Sequence, residues 1–204
     1  MSNGDLRVGR ILRASTRGFV VGCEVMQPDI PAFGSFVRVE SQTTGSVRDL
    51  YGLIYDVSIE DDLFVRHFIG AGIPENVVRD QRENRQVPIE VSVLAVGTRQ
   101  DTGSGMLVRH CLPPQPPVTL DWLYQCRVEE VRAFTSRFDY FRLVLDARDV
   151  PTDELLAVSL RAAAMARPEH ERETFLVEAG RELARLLAGD PVRLEGVLRR
   201  LRYA

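Results

Sequence analysis

The sequence contains no lysine: all 26 basic residues among its 204 are arginine. A phosphate-binding loop of the GxxxxGK[ST] type, whose lysine reaches the β- and γ-phosphates, is therefore excluded. Exclusive use of arginine reads as the bias of a GC-rich genome rather than a choice made for bidentate pairing. Cysteine is scarce. Cys23, Cys111 and Cys126 lie far apart and form no CxxC pair, which speaks against a disulfide framework and a zinc ribbon. Cys23 sits in an apolar run and is expected to pack as a small hydrophobe. No run approaches the ~18 apolar residues of a membrane span. The opening MSNGDLRVGR has no apolar core of a secretory signal, so a cytoplasmic protein is expected. An excess of positive charge is also missing. Net charge is −3; residues 1–132 hold 14 Arg against 17 acids, and residues 133–204 hold 12 against 12. That balance argues against a dedicated nucleic-acid surface.

What is present is a series of β-type runs broken by turn residues. Strands are expected over 6–14, 18–26, 35–40, 50–59, 87–97 and 106–111. Gly9 and Gly52 lie inside such runs and predict a bulge or a close backbone approach. In SFVRVE, Val37 and Val39 share one face and the charges lie opposite. The prolines of Pro28-Asp29-Ile30-Pro31 mark a loop, and Thr43-Thr44-Gly45-Ser46 a polar turn. Residues 60–86 mix charge with a weak helical signal and read as an excursion. TRQDTGSGM is a hairpin turn, in which Gly103 and Gly105 are free to take positive φ.

Leu112 to Val118, LPPQPPV, reads as an extended proline linker that carries the chain off the strands. The remainder reads as helical. Thr119 or Asp121 is placed to cap a helix running through Trp122, Leu123 and Val128, and Phe134, Phe138 and Phe141 have the spacing of a helical core face. Thr152 caps a next helix, Pro168 starts another, closed by Gly189, and Asp190-Pro191 caps a last one that ends in Arg199, Arg200 and Arg202. The expected architecture is α+β: a small six-stranded antiparallel β-barrel over 5–118, with the excursion at 60–86, then a C-terminal helical bundle over 119–204.

Four segments carry a family resemblance: VGRILRAS (Val8 to Ser15), FVV (Phe19 to Val21), PAFGSFVRVE (Pro31 to Glu40) and LYGLIYDVS (Leu50 to Ser58). With VPIEVSVLAVG and the proline passage they resemble the HerA–ATP synthase barrel, which precedes the P-loop core of HerA-type DNA translocases and rotary ATPase subunits. The resemblance covers about residues 5–118. It implies a barrel that packs beside neighbouring barrels and docks a partner such as a nuclease. It does not carry ATP hydrolysis, because the chain lacks the Walker lysine.

No catalytic, cofactor or metal site is expected. His67, His110 and His170 fall in three separate segments without ligand spacing, and Glu60-Asp61-Asp62 lacks the pattern of a calcium loop. The candidate nucleic-acid contacts are Arg7, Arg10, Arg13 and Arg17. Strict alternation puts Arg7 and Arg13 on one face and Arg10 on the other, which favours ordinary ion pairing. Packing is likewise favoured over base stacking for Phe134, Phe138, Tyr140 and Phe141. The function expected is that of a non-catalytic assembly or adaptor protein. Its barrel would dock on itself, on a HerA-like P-loop ATPase or on a nuclease subunit, in DNA processing. The alternative is a nucleic-acid-binding accessory factor that uses the barrel as an oligonucleotide-binding fold does.

Overall fold

The computed structural model describes residues 6–25, 32–40, 47–59, 87–103 and 105–202. Seven strands lie within them: β1 (Arg7–Ala14), β2 (Gly18–Val25), β3 (Phe36–Glu40), β4 (Val47–Ile59), β5 (Val87–Asp101), β6 (Met106–Arg109) and β7 (Trp122–Gln125). Five helices follow: α1 (Val128–Phe134), α2 (Phe141–Leu145), α3 (Thr152–Met165), α4 (Glu169–Leu186) and α5 (Pro191–Arg202). The excursion expected at 60–86, the 28–31 loop and the 43–46 turn lie outside the described residues, as do His67 and Glu60 to Asp62.

The strands run β2-β1-β7-β3-β4-β5, all pairs antiparallel, and β2 pairs back onto β5, which closes a six-stranded barrel. The fold is thus α+β, a closed barrel with helices. The sixth barrel strand is not the one expected. Met106–Arg109 pairs only with the far end of β5 (98–101), on the edge that β2 occupies over 87–94, and so extends that edge beyond the ring. The ring is closed instead by Trp122–Gln125, held between β1 and β3. The proline segment therefore delivers the chain back into the barrel rather than away from it, and the helix expected through Trp122 is a strand. Helix begins only at Val128. Trp, Leu and Tyr in alternation suit a pleated surface, and the two flanking strands supply the backbone partners.

The barrel interior is filled by apolar side chains, among them Ile11, Val21, Val37, Val39, Val91 and Leu123, which alternate with outward residues along β2, β3 and β5. Each such side chain, fully buried, contributes about 1.5–3 kcal/mol. A Cβ on Gly9 would come within 2.3 Å of the Gly22 carbonyl oxygen, so the close approach expected there holds. Bulges break the register beside Gly9 and Gly52 and give the strands the bend that closure demands.

A second core lies on the outer wall. Phe36, Tyr51, Leu53 and Val96 face outward from β3, β4 and β5 and pack with Phe134, Tyr140, Phe141 and the apolar faces of α3 and α4. The Tyr51 and Phe134 rings lie 4.9 Å apart. Strand β3 is consequently buried on both faces: Phe36 and Arg38, on the face opposite Val37 and Val39, are buried as well. Phe134, Phe138 and Phe141 do share a core, although not on one helix. α1 stops at Phe134 and α2 starts at Phe141, with a turn between them.

The last three helices start where local chemistry places them. Pro168 precedes α4, and the Asp190 carboxylate accepts the backbone N–H of Arg193 (3.0 Å) at the start of α5. Thr152 departs from its expected role. It is the first helical residue, after Pro151, and its hydroxyl accepts from the Arg193 guanidinium (2.8 Å). Arg193 also meets Asp153 at 2.8 Å, tying α5 to the start of α3.

Candidate interaction surface

The β1 arginines are arranged by two bulges. Arg7 stands opposite Tyr124 and Gly9 opposite Leu123, so Val8 is an extra residue. Ile11 stands opposite Val21 and Arg13 opposite Val20, so Leu12 is a second. Each extra residue reverses the alternation that follows it. Leu123, Ile11 and Val21 point into the barrel. Arg7, Arg10 and Arg13 therefore all face outward, and the expected separation of Arg10 from the other two does not occur. Sequence reading anticipated a bulge at Gly9 but did not carry its change of parity through to the arginines.

Two of the three converge on one ring. The Arg10 guanidinium lies 3.8 Å from the centre of the Trp122 ring and that of Arg7 lies 4.7 Å from it. Arg10 also donates to the Leu120 carbonyl oxygen (2.8 Å). On the other side of Arg10, Leu12 lies against Gly22, where an added Cβ would come within 3.3 Å of its side chain. Trp122 on β7, Arg10 on β1 and the side chain of Leu12, also on β1 but lying over Gly22 of β2, thus form a row on the outer wall. Trp122 was missed as a functional candidate because it was read as helical; the strand signal was the Trp-Leu-Tyr alternation itself.

The turn entering β7 is built to hold this row. Leu120 adopts φ +71° although it is not glycine, a conformation costing about 1 kcal/mol for such a residue. Its N–H donates to the Ile11 carbonyl (2.8 Å), and the Ile11 N–H donates to the Asp121 carbonyl (3.0 Å). The Asp121 carboxylate accepts the Val118 N–H (3.1 Å). So braced, Leu120 is 66% exposed, and Leu6 and Leu12 are 63% and 48% exposed. Arg13 is paired at a distance with Glu90 (3.6 Å). Arg17 stands apart, in the β1–β2 turn, lining a cleft of about 330 Å³ with Tyr55 and Arg148.

Tyr124 leads from this wall into a buried ionic cluster. Arg38 lies 5.1 Å from the Tyr124 ring. Its guanidinium meets Glu40 (2.9 Å), Asp49 (3.2 Å) and Glu130 (3.0 Å). Arg99 pairs with Asp49 and approaches Glu130 at 3.8 Å. Glu130 also accepts the backbone N–H of Arg127 (2.9 Å), which caps α1, while its contact with Arg38 fastens that end of the helix to the barrel. Burial alone would raise the Glu130 pKa; the backbone N–H and guanidinium of Arg127 and the charge of Arg38 outweigh it and hold the carboxyl below its ordinary range.

Elsewhere the titratable groups serve packing. Burial lifts the Cys23 thiol to about 11, in keeping with its place inside the barrel. His110 is enclosed by Phe134 and Tyr140, with Nε2 2.9 Å from the Phe134 carbonyl oxygen. His170 is exposed on α4. Phe134, Tyr140 and Phe141 are fully buried and offer no platform to a base. Gly103 and Gly105 take positive φ in the β5–β6 hairpin, as expected. Among the described residues no group of three or more His, Cys, Asp or Glu is placed to hold a metal ion, and no helix is long and apolar enough to cross a membrane. No protein-family model matches the chain, and no curated protein matches it.

Proposed function

We propose that this chain is a non-catalytic assembly or adaptor protein, of the kind the HerA–ATP synthase barrel resemblance implies. Its barrel docks on a HerA-like ring ATPase, on that enzyme's nuclease, or on a second copy of itself, in cytoplasmic DNA processing. The C-terminal helices act as a bundle that stiffens one side of the barrel. The observation that carries this reading is the outer wall of β1 and β7. It sets a tryptophan between two arginines, the residue types enriched at interface hot spots, and places exposed leucines around them. The opposite wall is covered by the helices, so the two sides of the barrel have different tasks. The test is affinity capture of the tagged full chain from the cells that make it, with mass spectrometry of what accompanies it. Near-equal recovery of a P-loop ATPase or nuclease supports the proposal; recovery of this chain as a lone monomer sinks it.

A second reading, a nucleic-acid-binding accessory factor, is favoured by the same Arg7–Trp122–Arg10 stack, since guanidinium and indole suit phosphate and base. A salt-sensitive mobility shift with single- or double-stranded DNA supports it.

A further inference from the structure

We infer that the β1/β7 wall takes a protein segment in which acidic and apolar side chains lie side by side, its carboxylates meeting Arg7 and Arg10 and its apolar groups meeting Leu12 and Leu120. This rests on the docking reading above and names the chemistry of the partner's contact.

Charge is the first argument. Arg38, Arg99, Arg127, Arg185, Arg193 and Arg200 each meet a carboxylate of this chain. Arg7 and Arg10, like several other arginines, meet none among the described residues; what sets them apart is that both guanidiniums are held on one ring, Trp122, and Arg10 also on a carbonyl oxygen. Two oriented guanidiniums on an aromatic face are ready to take carboxylates in fork geometry. The second argument is the apolar content. Leu120 is kept at positive φ by a bracing network while most of it faces solvent, and strain of that kind persists where it displays a side chain. The extent of the positive row favours protein over nucleic acid. Arg13, next along the wall, already faces Glu90, so the positive row ends after two residues. A phosphate backbone asks for a longer track and gains nothing from exposed leucines.

Trp122 is the only tryptophan of the chain, so its fluorescence reports occupancy of this wall directly. The full chain is titrated with an amphipathic peptide presenting Glu and Leu on one face, with poly-glutamate, and with oligodeoxythymidine. The peptide is expected to shift Trp122 emission and to bind more tightly than the other two. Arg7→Gln combined with Arg10→Gln, and separately Leu12→Glu, should each weaken it about tenfold, while Arg185→Gln on α4 should leave it unchanged. Thermal melts establish that each variant is folded, and Leu12→Glu keeps the test open if the double variant is not. The inference is overturned if poly-glutamate binds as well as the peptide, if oligodeoxythymidine alone moves the emission with steep salt dependence, or if no probe moves it.

A photo-cross-linker at Leu12 in the captured complex separates this idea from the broader one. An ATPase or nuclease that co-purifies but cross-links only from other faces upholds docking and overturns this surface. Peptide binding with no captured partner upholds this surface and overturns docking on such an enzyme.

Discussion

Arg10 stacks 3.8 Å over the ring of Trp122, joining the first strand of the barrel to the last. One contact thus links two paired strands across their outer face and shapes the exposed wall. Arg10→Gln removes the stack and the bond to the Leu120 carbonyl. A loss of about 1 kcal/mol is expected, measured by urea denaturation followed through Trp122 emission. An unchanged midpoint would show that the stack is not formed in solution.

Leu120 offers the complementary test. Asparagine tolerates its φ of +71° better than leucine does. Leu120→Asn should therefore raise stability by about 0.5–1 kcal/mol while weakening partner capture. A variant that gains stability and keeps full capture would show that the strained leucine serves no interface.

Gly9 is set by sterics. A side-chain carbon there would meet a backbone oxygen at 2.3 Å and the Cys23 sulfur at 2.9 Å. Gly9→Ala should cost about 2–4 kcal/mol, in the range of a misfitting core change, seen as a lowered Tm. A melt within a degree or two of the parent would contradict the close approach of β1 and β2.

The ionic cluster predicts an acid limb. The Glu130 pKa in the folded chain lies below its ordinary value of about 4.3, so the unfolded chain binds more protons once pH nears that value. The carboxylate's contribution is complete above the unfolded pKa and is lost as pH falls through the folded one. Glu130→Gln should flatten that limb and, at neutral pH, cost about 3 kcal/mol by leaving Arg38 short of a buried counter-charge. Equal acid profiles for parent and variant would place the acid sensitivity elsewhere.

His110 gives a separate window. Burial is the largest influence on its pKa and lowers it, against the bond to the Phe134 carbonyl and the Asp139 charge; the nearby Arg137 also lowers it. The folded chain then holds fewer protons than the unfolded one just below pH ~6.5. Stability should fall as pH drops from about 6.5 and level off below the folded pKa. His110→Phe should remove that slope. NMR titration of the imidazole giving a pKa above the ordinary value would reverse the sign.

Much of this molecule was legible in its residues. Five of the six barrel strands were placed within a few residues, because apolar alternation and turn chemistry act over short distances. The helix starts at Pro168 and Asp190-Pro191, the hairpin at Gly103 and Gly105, and the tight fit at Gly9 were readable for the same reason. The sixth strand was not. Trp122–Gln125 is four residues long, and its state depends on β1 and β3, far away in sequence, offering their edges. The wall was illegible too, since the extra Val8 turns Arg10 to the face of Arg7 and the extra Leu12 turns Arg13 to that same face.

Residue order and type alone were enough to put strands before helices, to exclude a Walker lysine, to set Val37 and Val39 on one face and to make Cys23 a packed small hydrophobe. These follow from composition, period and local chemistry. Which segment closes the barrel, that Arg7 and Arg10 share one indole, and that Arg38 and Glu130 are buried together where α1 meets the barrel were settled by the packing of distant segments. Each depends on register between distant strands, where a single extra residue turns every following side chain to the other face.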